Sequence, residues 1–400
     1  MPRASATAAL VAAVLALAGP AGAEIATGAP ASLLVFPLVS VDSAQGVDTE
    51  IRLTNTGAAP QAVRCVYLDG SLMPGTASDF RLSLIAQQPV SWRASTGATL
   101  AMDAGSVPAV PTTPFSGTLR CVAADGDGIP TPGDVLIGSA AILRGAPAPD
   151  SAAYAATGFA ATGSSADEPD VLVLGGAQGE YDACPAELAL QPFLDGATVA
   201  LGSTGDVQRT TSTTIALATC SSDPVAGATA TVDIRLINEL GQMFQTSRVV
   251  RELLVSPLSQ LDTSSPSRSI FNSAVAGSST GNLRITPKGT GSAVLAVALT
   301  ALAPNESAAA HRVAVQPQLL GERGAPGDLV DLAVPTVPST CPGDCNGDGS
   351  VAINELITGV NIALGSATLD ACPAFDTNSD GAVAINELIA AVNAALGGCG

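Results

Sequence analysis

Asp344-Cys345-Asn346-Gly347-Asp348-Gly349-Ser350-Val351-Ala352-Ile353-Asn354-Glu355 spans twelve residues with oxygen donors at positions 1, 3, 5 and 12. Asp376-Thr377-Asn378-Ser379-Asp380-Gly381-Ala382-Val383-Ala384-Ile385-Asn386-Glu387 repeats it 32 residues later. Residues 344–365 and 376–397 are identical at 16 of 22 positions, so the pair is a tandem duplication. The spacing suits a hard cation. Calcium takes about 6–8 oxygens at about 2.3–2.6 Å. Alternate positions bring Asp344, Asn346 and Asp348 to one point, Gly349 permits a sharp turn, the carbonyl of Ser350 follows, and Glu355 closes the sphere. Asp376, Asn378, Asp380, Ala382 through its carbonyl, and Glu387 repeat those roles. Three carboxylates repel one another in each loop without metal, so the expectation is two calcium ions whose binding is coupled to folding.

Each loop leads into a helical pattern. Ile353, Leu356, Ile357, Val360 and Leu364 form one apolar stripe; Ile385, Leu388, Ile389, Val392 and Leu396 form its copy. Gly365 and Gly397 stand where helix C-terminal caps belong. The two stripes are expected to pack on each other as a small pseudo-symmetric core. Metal and disulfides would supplement it, because so short a segment is marginal by burial alone. Before the first loop, Pro335, Pro338 and Pro342 forbid a regular incoming helix.

A loop-then-helix unit used twice in this way resembles the dockerin module, a tandem of EF-hand-type loops. The resemblance covers residues 341–400. It implies calcium ligation by Asp344, Asn346, Asp348 and Glu355, and by Asp376, Asn378, Asp380 and Glu387. It also implies docking onto a cohesin-type partner, in the family a step in assembling polysaccharide-degrading complexes. Both loops here end in Glu, where dockerin loops commonly end in Asp, and four cysteines flank them.

Upstream the pattern changes to short runs rich in Val, Ile, Leu and Thr. Ser32–Val41, Thr49–Asn55, Ala62–Leu68, Gly117–Ala123, Asp134–Leu143, Val171–Leu174, Thr213–Ala218, Ala228–Ile237 and Ala293–Leu302 read as strands between turn signals such as Asp69-Gly70. Glu239–Gln242 turns a hairpin. The fold class expected is mainly β: two β-sandwich domains, residues 24–150 and 171–335, joined by an Ala/Gly/Ser/Pro-rich linker at 151–170 and followed by the small α-helical module. Glu50–Gly57, echoed by Asp233–Asn238, resembles a strand and turn of exported immunoglobulin-like bacterial modules. Trp92 reads as a core residue.

Composition bounds the function. The 400 residues hold 16 Lys+Arg against 35 Asp+Glu, a net charge of −19, which excludes a phosphate-binding face and hence a nucleic-acid partner. No stretch is long and apolar enough for a membrane span. Arg3, the apolar run 8–18 and Ala21-Gly22-Ala23 read as a signal peptide, residues 1–23, placing the protein outside the cytoplasm: secreted, periplasmic or on the cell surface. Eight cysteines fit that compartment. Proximity in sequence pairs Cys65 with Cys121 and Cys184 with Cys220; Cys341, Cys345, Cys372 and Cys399 allow three connectivities. The one histidine, His311, lies in an alternating stretch, and no catalytic residue is assigned. The leading expectation is a non-enzymatic calcium-binding protein with a structural or adhesive role. The alternative is a dockerin-bearing component of a polysaccharide-degrading assembly with a sugar-binding or hydrolytic β-body.

Overall fold

Leu33–Val41 reads Leu-Leu-Val-Phe-Pro-Leu-Val-Ser-Val, an apolar run without polar alternation, and it is buried on both faces. Leu34 and Phe36 point into one core, Leu33 and Val35 into another. Gln61–Asp69 divides likewise, with Val63, Cys65 and Tyr67 on one side and Val66 and Leu68 on the other. The period-two geometry of a strand thus makes these strands walls between two cores. The structure is a computed structural model describing residues 26–70, 77–100, 105–145, 150–163, 170–176, 179–201, 207–221, 229–262, 270–289, 293–304, 311–323, 328–332, 342–345, 351–375 and 382–397. It is mainly β, with three α-helices among those residues: α1 (Ser273–Ala276), α2 (Ile353–Ala363) and α3 (Ile385–Gly397). None of them is long and apolar enough to cross a membrane.

In the first half, a six-stranded antiparallel sheet runs Ala26–Thr27, Thr157–Phe159, Leu33–Val41, Phe115–Ala124, Gln61–Asp69, Ala77–Leu84. A four-stranded sheet runs Asp150–Ala155, Leu136–Arg144, Val47–Asn55, Pro89–Arg93. Phe36, Tyr67 and Leu119 from the former meet Ile51, Leu53, Trp92 and Ile142 from the latter in one cluster. Trp92 is core, and its Nε1 donates to the Tyr67 hydroxyl at 2.7 Å. Cys65 and Cys121 are bonded and lie directly opposite in register on neighbouring strands, so this disulfide staples one sheet to itself.

The second half repeats the plan with different strand order. One five-stranded sheet runs Met243–Arg251, Thr229–Asn238, Gly281–Lys288, Pro185–Leu190, Gln318–Glu322. The other runs Thr198–Leu201, Val207–Thr219, Val294–Pro304, His311–Val315, with Leu253–Pro257 also paired to Val207–Thr219. Ile234, Leu283 and Leu190 meet Ile215, Leu217 and Val294 between them. Cys184–Cys220 forms as expected. All nine expected strands are present, with ends shifted by a few residues, and residues 239–242 join the expected hairpin.

The stretch 151–170 is not a linker over its first part. Asp150–Ala155 and Thr157–Phe159 are strands of the first half, with Ala152, Tyr154 and Phe159 buried. Small residues there let the strands lie close against neighbours, and composition alone mimicked a spacer. The halves are joined by a shared apolar cluster that includes Leu33, Val122, Leu174, Cys220 and Leu295. Arg312 holds Asp150 through three hydrogen bonds of 2.7–3.1 Å, and Gln316 bonds both backbone groups of Ala155.

Beside this junction Asp182 is buried; Ala160 N–H donates to its Oδ2 at 3.0 Å while Oδ1 has no partner among the described residues. Desolvation pushes its carboxyl above the usual aspartate range, and the charges of Glu322 and Asp134 add to the rise. A raised folded-state value makes ionisation a stability cost that is absent below the ordinary aspartate value, grows as pH rises above it, and is complete once pH passes the raised value. Asp182→Asn keeps an acceptor for Ala160. It is expected to raise the thermal midpoint at pH 7 and leave it unchanged below about pH 3; equal shifts at both would refute the account.

Candidate functional site

The chain between residues 341 and 400 contains no Lys, Arg or His, yet Asp344, Glu355 and Glu387 are all buried. Burying carboxylates without a counter-charge is strongly unfavourable. Part of the cost is met by backbone donors. Glu355 accepts the N–H of Cys345 through Oε1 and that of Ala352 through Oε2, both at 2.8 Å. Glu387 accepts the N–H of Ala384 at 2.8 Å. Ala352 is the N-cap of α2 and Glu355 its third residue, so the carboxylate also sits favourably at the positive end of the helix. Neutral donors do not supply a positive charge, and among the described residues no three or more acidic, histidine or cysteine side chains gather at one point.

Of the ten expected ligands, Asp344, Glu355, Ala382 and Glu387 fall within the described residues; Ala382 is exposed. Asn346, Asp348, Ser350, Asp376, Asn378 and Asp380 lie outside them, as do the expected signal segment 1–23, Cys341 and Cys399. Cys345 is bonded to Cys372.

The expected packing of the two apolar stripes does not occur. Only Leu356 and Leu388 approach the module's core. Ile353, Ile357, Val360 and Leu364 on α2, and Ile385, Ile389, Val392 and Leu396 on α3, are between 42% and 83% exposed. The inward face of α2 is instead Glu355, Gly359 and Ile362, and that of α3 includes Glu387 and Ala391. The cause is Phe375. Its fully buried ring occupies the space over Gly359, where an added Cβ would come within 2.2 Å of the ring. Gly343 is equally constrained, with φ of +91° and room for no Cβ beside Ala391 and Phe375. Gly365, at φ +71°, ends α2 as expected.

In the β-body a cleft of about 430 Å³ lies where the halves meet and is lined by Ser40, Asp42, Asp69, Phe115, Leu253 and Val255 among others. Asp42 is engaged in its own turn, accepting the N–H groups of Ala44 and Gln45. Gly277-Ser278-Ser279-Thr280-Gly281 has the Gly-x-Ser-x-Gly spacing of a nucleophile elbow. Here a helix precedes it and a strand follows, the reverse of the order that presents a nucleophile. Glu239 instead holds the Ser279 N–H and the Thr280 hydroxyl. No family model matches the chain, and no curated protein matches it.

Proposed function

We propose that the chain is an exported, calcium-stabilised docking protein. Its β-body, read as two β-sandwich (immunoglobulin-like) modules, is a structural or adhesive cargo, and its dockerin-like C-terminal module attaches that cargo to a cohesin-type partner. The observation that carries this reading is a pairing on one helix, made twice. Each helix turns a loop glutamate inward at its first turn and an apolar stripe outward along its length. Contiguous exposed apolar side chains on a water-soluble module mark an interaction surface. The inward glutamates support the calcium part, because the segment holds no base to balance them. The three disulfides Cys65–Cys121, Cys184–Cys220 and Cys345–Cys372 support an oxidising, extracytoplasmic setting.

The exposed stripes favour docking over a purely structural cap. Ile357→Ser with Ile389→Ser is expected to weaken partner capture at least about tenfold, since buried anchors dominate interface energy. The same pair of changes should leave the module's thermal midpoint within a degree or two, because both side chains face solvent. The measurement is calcium-dependent capture of a cohesin-type protein from the native secretome by the full chain, identified by mass spectrometry. Unchanged capture by the double variant, or capture equal with and without chelator, would sink the reading.

A further inference from the structure

We infer that the edge strand Met243–Arg251 of the β-body is a docking strip for an extended acidic polypeptide segment, which adds to the sheet as a further strand. Every residue involved lies in the β-body, so the inference stands apart from the calcium and cohesin readings of the terminal module. Met243–Arg251 ends its five-stranded sheet: it pairs with Thr229–Asn238, and no strand among the described residues lies on its other side. At nine residues it is the longest edge strand among them. An unpaired edge offers a row of backbone N–H and C=O groups that another chain can bond. Proteins commonly blunt such edges with proline, a bulge or a cover. This strand contains no proline, and its register with Thr229–Asn238 runs unbroken from Arg251 to Met243. The edges Asp150–Ala155 and His311–Val315, by contrast, meet across the junction, where Arg312 and the adjacent Gln316 tie them together.

Side chains select the occupant. Met243 is 65% exposed and Val249 57%, and Ile237, also exposed, stands directly across from Met243 on the same face. Apolar side chains along an open edge give an incoming strand something to cover besides hydrogen-bonding groups. The charge on this hairpin is opposite to that of the chain. Thr229–Asn238 and Met243–Arg251 hold three bases, Arg235, Arg248 and Arg251, against one acid, Asp233, a net +2 in a chain of net −19. Asp233 is itself engaged by Lys288 and by the Ser247 hydroxyl. Arg235 and Arg251 are exposed and make no ion pair among the described residues. Arg248 donates to the carbonyls of Gln260 and Leu261, which leave its charge unbalanced. A second copy of this chain would bring two positive strips together. An acidic strand instead sets opposite charges across the new pairing.

Titrating the full chain into a fluorescently labelled peptide, Glu-Val-Val-Glu-Ser-Thr-Thr-Val-Val, and following anisotropy tests this. Laid antiparallel along Met243–Arg251, the peptide sets its glutamates opposite Arg251 and Arg248 and valines opposite Val249 and Met243. Saturable binding below about 1 mM is expected. Lysine in place of both glutamates should weaken it about tenfold or more, because two attractive cross-strand pairs become repulsive. Backbone N–H groups of successive residues point to opposite sides of a strand. N-methylating one set of alternate peptide residues should therefore abolish binding, and methylating the other set should spare it. Arg251→Glu should weaken the glutamate peptide about fivefold, and lysine at the peptide's first position should restore the loss. If that variant loses its β signal in circular dichroism, the peptide changes still decide the matter on the unmodified chain. Absence of saturable binding, equal affinity for the glutamate and lysine peptides, or the same response to both methylated sets would each overturn the inference. A chain that dimerises in analytical ultracentrifugation and takes up no peptide would assign the edge to a second copy instead.

Discussion

Replacing Glu252 with alanine is expected to destabilise the β-body by about 3–5 kcal/mol, the range for removing one partner of a buried ion pair. Glu252 and Arg120 are fully buried, and Arg120 Nη2 donates to Glu252 Oε1 at 2.7 Å. The two residues come from different halves of the body, Arg120 from strand Phe115–Ala124 and Glu252 from the turn between Met243–Arg251 and Leu253–Pro257. The hydroxyls of Thr118 and Thr219 donate to the same carboxylate, each at 3.0 Å. Truncation therefore takes the carboxylate from a buried guanidinium and the acceptor from two buried hydroxyls at once. Each uncompensated hydroxyl adds about 1–3 kcal/mol to the cost where it finds no new acceptor. A matched change, Arg120→Met with Glu252→Leu, removes both charges together and is expected to cost far less than Glu252→Ala, since apolar replacements of buried pairs are often neutral. Urea unfolding of the three proteins measures the difference. A Glu252→Ala midpoint equal to that of the unmodified protein would refute the assignment.

The strands were legible because their signal is local. A run such as Leu33–Val41 or Thr229–Asn238 announces itself through β-branched residues and the turn chemistry at its ends. What it does not announce is a neighbour. Nothing in Phe115–Ala124 says that Val122 and Arg120 will face the other half while Leu119 and Cys121 face their own. Arg120 in particular reads as a surface residue until its partner, 132 positions away, is known. At 150–159 the misreading was compositional, since Ala, Gly and Ser serve close strand packing as well as spacers. In the terminal module Asp344, Glu355 and Glu387 are buried, while most of the other expected ligands lie outside the described residues. The helix faces were not legible. Hydrophobicity selected Ile353, Ile357, Val360 and Leu364 as core, whereas the buried face is built from a glutamate, a glycine and an isoleucine that accommodate Phe375. A glycine that admits an aromatic ring carries no hydrophobic signal, and a buried glutamate carries the opposite one.

Chelating calcium is expected to unfold residues 342–397 and leave the β-body intact. A ligand that binds only the folded state adds about 2.7 kcal/mol per site at a free concentration one hundred times its dissociation constant. Two sites thus add about 5 kcal/mol, comparable to the roughly 3–9 kcal/mol of total stability available to a segment of some sixty residues. The module's small core, Ile362, Cys372, Phe375, Val383 and Ala391, gives it little reserve. Without metal, Asp344, Glu355 and Glu387 are left buried in a segment with no basic residue, and unfolding returns them to water. Two interior acids of the body are balanced without metal, Glu252 by Arg120 and Asp150 by Arg312. Differential scanning calorimetry in calcium should therefore show the module and the body as separate contributions, with chelator abolishing the former alone. Helix signal in circular dichroism should fall in step and return when calcium is restored. Because the outward stripes exist only while α2 and α3 are helical, partner capture should vanish over the same calcium range. Helicity and thermal profile unchanged by chelator would show that the buried carboxylates are balanced in some other way and that calcium does not hold the module together.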